Sequence, residues 1–262
     1  MNDLDLAIAV ADVGAAVVRR RFGTTLQRLE KGAGDFATNA DIEAENAMLA
    51  VLRRERPDDT ILGEESGRSG AAGGVRTWLI DPLCGTLNYA ARMRVAAVNV
   101  ALRVEGVFVA AAVADPFNDE IFWTDSVSVF TRVDGLDTAL VPSGSSTLVD
   151  LNLDPPFPNA PAFRTVTLAA DSGFADRFRP RVVSTSMALT WVATGQRAAY
   201  VTDGDARDSV HFAAGLAICL AAGCTVTDLR GRAWGSGATG LVAAADAETH
   251  AALMNLVRKY LP

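Results

Sequence analysis

The 262-residue chain is half apolar and about one-fifth charged, enough apolar surface for a sizeable globular core. Its 24 Lys and Arg face 31 Asp and Glu, and the resulting net charge of −7 argues against a nucleic-acid or anionic-membrane binder, both of which need basic footprints. The three cysteines, Cys84, Cys219 and Cys224, are odd in number and unpaired in spacing. They argue against a disulfide framework or zinc ribbon and fit a reducing, cytoplasmic setting.

Residues 2–22 carry Leu6, Val10, Val13 and Val17 at helical spacing, with Arg19, Arg20 and Arg21 at the negative end of the helix dipole. Asp3, Asp5 and Asp12 interrupt the apolar run, so the segment reads as neither a signal peptide nor a membrane span. After a Gly-containing stretch from Lys31 to Asp35, the residues Ile42, Met48, Leu49 and Leu52 predict a second helix that stops at Pro57. Thr60–Leu62 and Thr77–Ile80 read as buried strands that each run into a polar loop. Four β-rich segments near 95–103, 106–114, 119–124 and 127–131 are punctuated by Gly106 and the turn at Asp115–Asp119, the pattern of an antiparallel meander. The Pro-rich stretch 136–162 reads as a loop-like connection between a half spanning 1–135 and a half spanning 163–262. Beyond it the chain predicts a strand near 164–169, a helix near 187–194, a strand at 197–202 and a helix at 211–222. Strands at 224–228 and 240–244 and a helix at 246–258 complete an α/β alternation.

Acidic residues stand where these elements open into loops: Asp41 after Thr38, Glu64 and Glu65 between Gly63 and Gly67, and Asp81 before Pro82. Carboxylates at strand ends beside glycines suit a hard-cation site. Each cluster alone also fits a surface turn or a helix cap.

Taken in order, Thr-x-x-Asp, then Gly-Glu-Glu-Ser-Gly, then Asp-Pro-Leu-Cys-Gly-Thr-Leu-Asn-Tyr resembles the inositol monophosphatase family. The likeness continues through Asn99–Leu102, Asp115-Pro116, His211–Gly215 and Ala222–Gly231. It implies a layered αβαβα sandwich of the inositol-monophosphatase and fructose-bisphosphatase type, an α+β arrangement. It also implies a magnesium-dependent phosphomonoester hydrolase acting on a small phosphorylated metabolite, commonly as a homodimer. Carried over residue by residue, Glu64, Asp81 and the carbonyl of Leu83 match the first metal site. Thr86 and Asp41 match the pair that orients the attacking water, and with Glu64 they are the candidate catalytic residues. Gly85 and Thr86 head a segment that offers backbone N–H groups to phosphate, and Lys31 matches a position facing the phosphate region.

Two positions depart from the family pattern. Cys84 and His211 stand where the resemblance calls for aspartates of a second metal site, and Val210 replaces a tryptophan. Thiol and imidazole donors suit zinc, and manganese is a further candidate there, better than magnesium. Three readings stay open: a softer metal site, a protein working with one metal or altered chemistry, and a repurposed or non-catalytic relative. The substrate side has drifted as well, with Val183-Ser184-Thr185-Ser186 in place of a small-residue segment. Ser184, Asp203 and Asp205 are candidate substrate contacts, with Asp208 nearby, and a solvated acidic turn explains the aspartates equally.

Overall fold

The computed structural model describes residues 1–32, 35–71, 74–153, 165–204, 206–234 and 240–261. Helix α1 (Asp3–Arg21) starts where Asn2 accepts the Asp5 N–H at 2.7 Å, and its acidic first turn and basic last turn both complement the dipole. A hairpin of β1 (Arg28–Gly32) and β2 (Asp35–Thr38) leads into α2 (Asn39–Glu55). The α2 entry is a capping box: the Thr38 hydroxyl accepts the Ala40 N–H, while Asp41 accepts the Thr38 N–H at 2.8 Å.

Eight strands follow: β3 (Thr60–Gly63), β4 (Gly67–Ser69), β5 (Arg76–Cys84), β6 (Ala97–Val104), β7 (Val107–Asp115), β8 (Glu120–Thr124), β9 (Val129–Val133) and β10 (Leu136–Ala139). They form one sheet in the order β10-β9-β8-β7-β6-β5-β3-β4, antiparallel except where β3 runs parallel to β5. The short helix α3 (Thr86–Ala90) lies between β5 and β6. A second sheet has the order β12-β11-β13-β15-β14, built from β11 (Leu148–Leu151), β12 (Arg179–Val182), β13 (Ala199–Thr202), β14 (Thr225–Thr227) and β15 (Leu241–Ala244). Its helices are α4 (Thr165–Ala169), α5 (Ser172–Arg177), α6 (Met187–Ala193), α7 (Val210–Ala221) and α8 (Ala247–Val257).

Side-chain alternation along the strands produces the layers. Trp78 and Ile80 of β5 face α1 and α2 together with Val98, Val100 and Leu102 of β6. Leu79 of β5 and Ala97 and Ala101 of β6 point the other way, into a core made with α6 and α7. That middle core also takes Tyr200 of β13 and Leu241 and Ala243 of β15. The opposite faces of those strands, Ala199, Val201, Val242 and Ala244, pack with Leu168, Phe174, Leu253 and Met254 of α4, α5 and α8. Helix pair, sheet, helix pair, sheet and helices give an αβαβα sandwich, the architecture the resemblance implied.

Several local expectations need correction. The strand expected near 164–169 is instead helix α4 at Thr165–Ala169, because Leu168 is fully buried against the helical layer and tertiary packing outweighs local propensity. The connection 136–162 is not all loop: Leu136–Ala139 closes the first sheet, and Leu148–Leu151 lies inside the second, parallel to β12 and β13. The β1–β2 hairpin and α5, which Asp171 caps by accepting the Phe174 N–H, were also absent from the sequence reading.

Candidate functional site

The site begins with strand register. Parallel pairing sets Gly63 of β3 opposite Ile80 of β5, and the Glu64 N–H donates to the Ile80 carbonyl at 3.2 Å. The β3–β5 pairing ends there, which brings the next carboxylates, Glu64 and Asp81, side by side. Beyond Asp81 the β5–β6 register slips by one residue before Cys84. Pro82 has no N–H for the ladder, and the irregularity turns the chain out of the sheet. Asp81 holds this turn by accepting the Leu83 N–H on Oδ1 at 3.0 Å.

Gly85 then adopts φ +109°, and a Cβ there would lie 2.9 Å from the Val95 carbonyl and 3.1 Å from that of Ser184. Only glycine fits. Thr86 opens α3, with its hydroxyl 3.0 Å from both Asp41 Oδ1 and the Leu83 carbonyl. One hydroxyl proton serves one of these acceptors at a time. Asp41 is fully buried and plays two parts, capping α2 through Oδ2 and facing Thr86 through Oδ1. Burial is the largest influence on its carboxyl and pushes it above the usual range, against the hydrogen bonds from Thr38 and Thr86.

From the other half of the chain, α7 delivers His211. Its Nδ1 lies 2.8 Å from Asp81 Oδ2 across 130 residues of sequence. The ring is ringed by acidic groups yet keeps 44% of its side-chain surface open to the cleft. Burial opposes its charge, but the Asp81 carboxylate outweighs that and raises the imidazole well above its usual range. Glu64 moves up as well, through burial and the adjacent Asp81 charge. Asp81 moves down despite burial, because the His211 cation lies against it. One donor atom each from Asp81, Cys84 and His211 falls within 4.8 Å of the others.

The segment 184–186 is stapled to the same turn. The Thr185 hydroxyl donates to the Cys84 carbonyl at 3.0 Å, and the Ser186 N–H donates to Cys84 Sγ at 3.1 Å. Asn88 Nδ2 donates to the Ser184 carbonyl at 3.0 Å, so Ser184 meets the turn through its backbone. Lys31 reaches the cleft from β1 and pairs with carboxylates, at 3.0 Å from Glu64 Oε1 and 2.7 Å from Glu65 Oε1.

The structure thus brings Asp41, Glu64, Asp81, Leu83, Cys84, Gly85, Thr86 and His211 together, with Lys31 and Ser184 at the edge. Asp203, just past β13, is buried and accepts the Thr165 N–H at 3.4 Å, a contact directed toward α4. Asp208 forms an ion pair with Arg103 on β6. Asp205 lies outside the described residues.

Two residues escaped the sequence reading as working parts. Glu45, one helical turn after Asp41, is buried and accepts the N–H groups of Glu65 and Ser66 at 2.8 and 2.7 Å, which fixes the loop carrying Glu64. Its carboxylate also explains Gly63, where a Cβ would meet Glu45 Oε1 at 2.8 Å. Asn99, paired in register with Asp81, donates to Asp81 Oδ2 at 3.4 Å and accepts the Ser186 hydroxyl at 2.9 Å. The signals were Asp and Glu four apart on one helix, and a lone amide in an apolar strand.

The donors sort into two sides. Glu64 Oε2 is buried with no hydrogen-bond partner among the described residues, and with Asp81 and the Leu83 carbonyl it makes an all-oxygen set that fits magnesium. The thiol and imidazole of Cys84 and His211 do not fit a second magnesium ion.

The sequence profile of the inositol monophosphatase family matches residues 2–261. The chain belongs to the inositol monophosphatase family. An inositol-1-monophosphatase of Caulobacter vibrioides is 40% identical over 121 residues, 45% of this chain and 47% of the relative. The Nus factor SuhB of Escherichia coli is 34% identical over 121 residues, 45% of each chain. The chain thus spans about half the length of the curated relatives it matches. Among solved structures, the suppressor protein SuhB of Bartonella henselae superposes with a TM-score of 0.85 at 22% identity, covering 97% of this chain and 98% of that one. An inositol monophosphatase from Anabaena gives 0.79 at 22% identity, covering 99% and 96%. At such identity these two likenesses speak for the fold.

Proposed function

We propose that this cleft hydrolyses a small phosphate monoester, a sugar, cyclitol or nucleotide phosphate, in a cytoplasmic homodimer. The observation that carries the reading is the buried Glu64 oxygen that takes no hydrogen bond among the described residues, beside Asp81, with the Thr86–Asp41 pair adjoining through Leu83. Magnesium held by Glu64, Asp81 and the Leu83 carbonyl would supply Lewis acidity toward a phosphoryl oxygen and lower the proton affinity of water. Zinc suits the Cys84–His211 side better.

Thr86 and Asp41 carry the proton work. With its own proton donated to Asp41, the Thr86 oxygen accepts a hydrogen bond from the attacking water, and Asp41 draws the proton through that hydroxyl. A carboxyl raised by burial is the better base for this task. The amides at Gly85 and Thr86 face the phosphate, Lys31 offsets charge at the rim, and Ser184 borders the alcohol portion. Residues 1–135 supply most of the metal side, and residues 163–262 close it.

A second reading, a repurposed or non-catalytic binder of a phosphorylated metabolite, draws on Cys84 and His211. Phosphate release from a panel of sugar, cyclitol and nucleotide monophosphates, with magnesium, manganese and zinc in turn, separates the two. The expected result is magnesium-dependent release from at least one ester, reduced roughly 100-fold or more in Asp41→Asn by loss of the general base. No release from any ester, in a folded protein that those esters still stabilise against heat, would favour the second reading.

A further inference from the structure

We infer that Asp81, Cys84 and His211 form a zinc site with three protein donors and one position open to the cleft. This rests on the proposed metal-dependent reading only in that Asp81 is shared with the magnesium side. Three side chains, a carboxylate, a thiol and an imidazole, place one donor atom each within 4.8 Å of one another. Zinc bonds of roughly 2.0–2.3 Å in a tetrahedron put donor atoms roughly 3.3–3.7 Å apart, so small side-chain adjustments complete the set. The 2.8 Å contact of His211 with Asp81 opens slightly, and the wider separations close.

The donor chemistry chooses among ions. Manganese and magnesium favour all-oxygen surroundings, whereas one sulfur, one nitrogen and one oxygen match a borderline ion. The surroundings match a built metal site too, since outer partners fix each donor. Asn99 Nδ2 donates to Asp81 Oδ2, the Ser186 N–H donates to Cys84 Sγ, and the Ser186 hydroxyl ties to Asn99 Oδ1 at 2.9 Å. Asn99 and Ser186 are both buried, one on β6 of the first sheet and the other at the start of α6 in the middle layer. His211 retains 44% of its side-chain surface, so the open side of the set faces the cleft. Three protein donors with one open position is the pattern of reactive zinc sites, while structural sites are closed by a fourth.

The test is metal content and spectroscopy, without substrate. The full chain, purified without chelator, is expected to retain about one zinc per chain that excess magnesium does not displace. Replacing zinc with cobalt should produce a thiolate-to-cobalt charge-transfer band in the near ultraviolet and intense visible bands of a four-coordinate ion. Cys84→Ser should remove the charge-transfer band, and His211→Ala should weaken zinc binding by roughly tenfold or more. If the wild-type cobalt spectrum lacks the thiolate band, or zinc is no tighter than magnesium, the inference is overturned even when the variants fail to fold. A protein that holds zinc but releases no phosphate contradicts only the proposed hydrolysis. One that releases phosphate with magnesium and takes no zinc contradicts only this site.

Discussion

Lys31 is bound where its ammonium competes with a metal. Its Nζ lies 3.0 Å from the Oε1 of Glu64, whose second oxygen is buried and takes no hydrogen bond among the described residues. The two carboxylates keep the ammonium charged, raising it above its usual range despite burial. A cation at Glu64 must therefore share that carboxylate with a tethered charge or displace it. Lys31→Ala should lower the magnesium concentration for half-saturation by roughly two- to tenfold, the size of one partly exposed ion pair. Isothermal titration with magnesium alone reads this directly. Were Lys31 instead a phosphate ligand only, the substitution would raise KM for the ester and leave the magnesium titration unchanged.

At the scale of elements, caps and staples decide how firmly the helices are held. Asp171 caps α5 and also binds Tyr260 at 2.6 Å and Lys259 at 3.1 Å, joining the α5 start to the chain beyond α8. The Tyr260 hydroxyl, then Lys259 and the Phe174 N–H, hold its carboxyl down at about 2, against an ordinary 3.8. A depressed carboxyl stabilises the fold fully above its unfolded value and loses that contribution as pH falls through the folded one. The gap in urea midpoint between wild type and Asp171→Asn should thus be constant above about pH 5 and close as pH drops from about 4 to 2. A gap that stays constant across that range would remove the ionised carboxylate, with its Tyr260 and Lys259 partners, as the source of the stabilisation. These elements also show what was legible in sequence. The helices α1, α2, α7 and α8 have enough turns for apolar spacing to register, and Asp41, Glu64 and Asp81 sit at element ends marked by Gly or Pro. Thr165–Ala169 was misread because five residues carry no period, and β11 was hidden by surrounding prolines. The spacing of Glu45 four residues after Asp41 places it on the same face of α2, but its role is hidden because its partners are backbone amides 20 and 21 positions away.

Across the whole molecule, the site exists only because the layers meet. The first sheet supplies Glu64, Asp81 and Cys84, and α7 in the middle layer supplies His211. The ion pair of Arg103 on β6 with Asp208, just before α7, and the hydrogen bonds from Thr185 and Ser186 to Cys84 hold the two sides in register. Order of motifs reveals which residues belong together, His211 and Cys84 with the shared Asp81 included, while the direct 2.8 Å hydrogen bond between His211 and Asp81 needs the fold. The cleft proposed to hydrolyse a phosphate ester keeps the oxygen donors of Glu64, Asp81 and Leu83 and carries a thiol and an imidazole at its second cation position. Its most direct test is magnesium-dependent phosphate release by the double variant Cys84→Asp with His211→Asp, compared with wild type and each single variant. Carboxylates at both positions restore oxygen donors that suit magnesium, and the two act on one ion as a unit. The account expects higher magnesium-dependent release in the double variant and a smaller change in either single one. A folded double variant that releases no more phosphate than wild type with magnesium, from any ester in the panel, would contradict it.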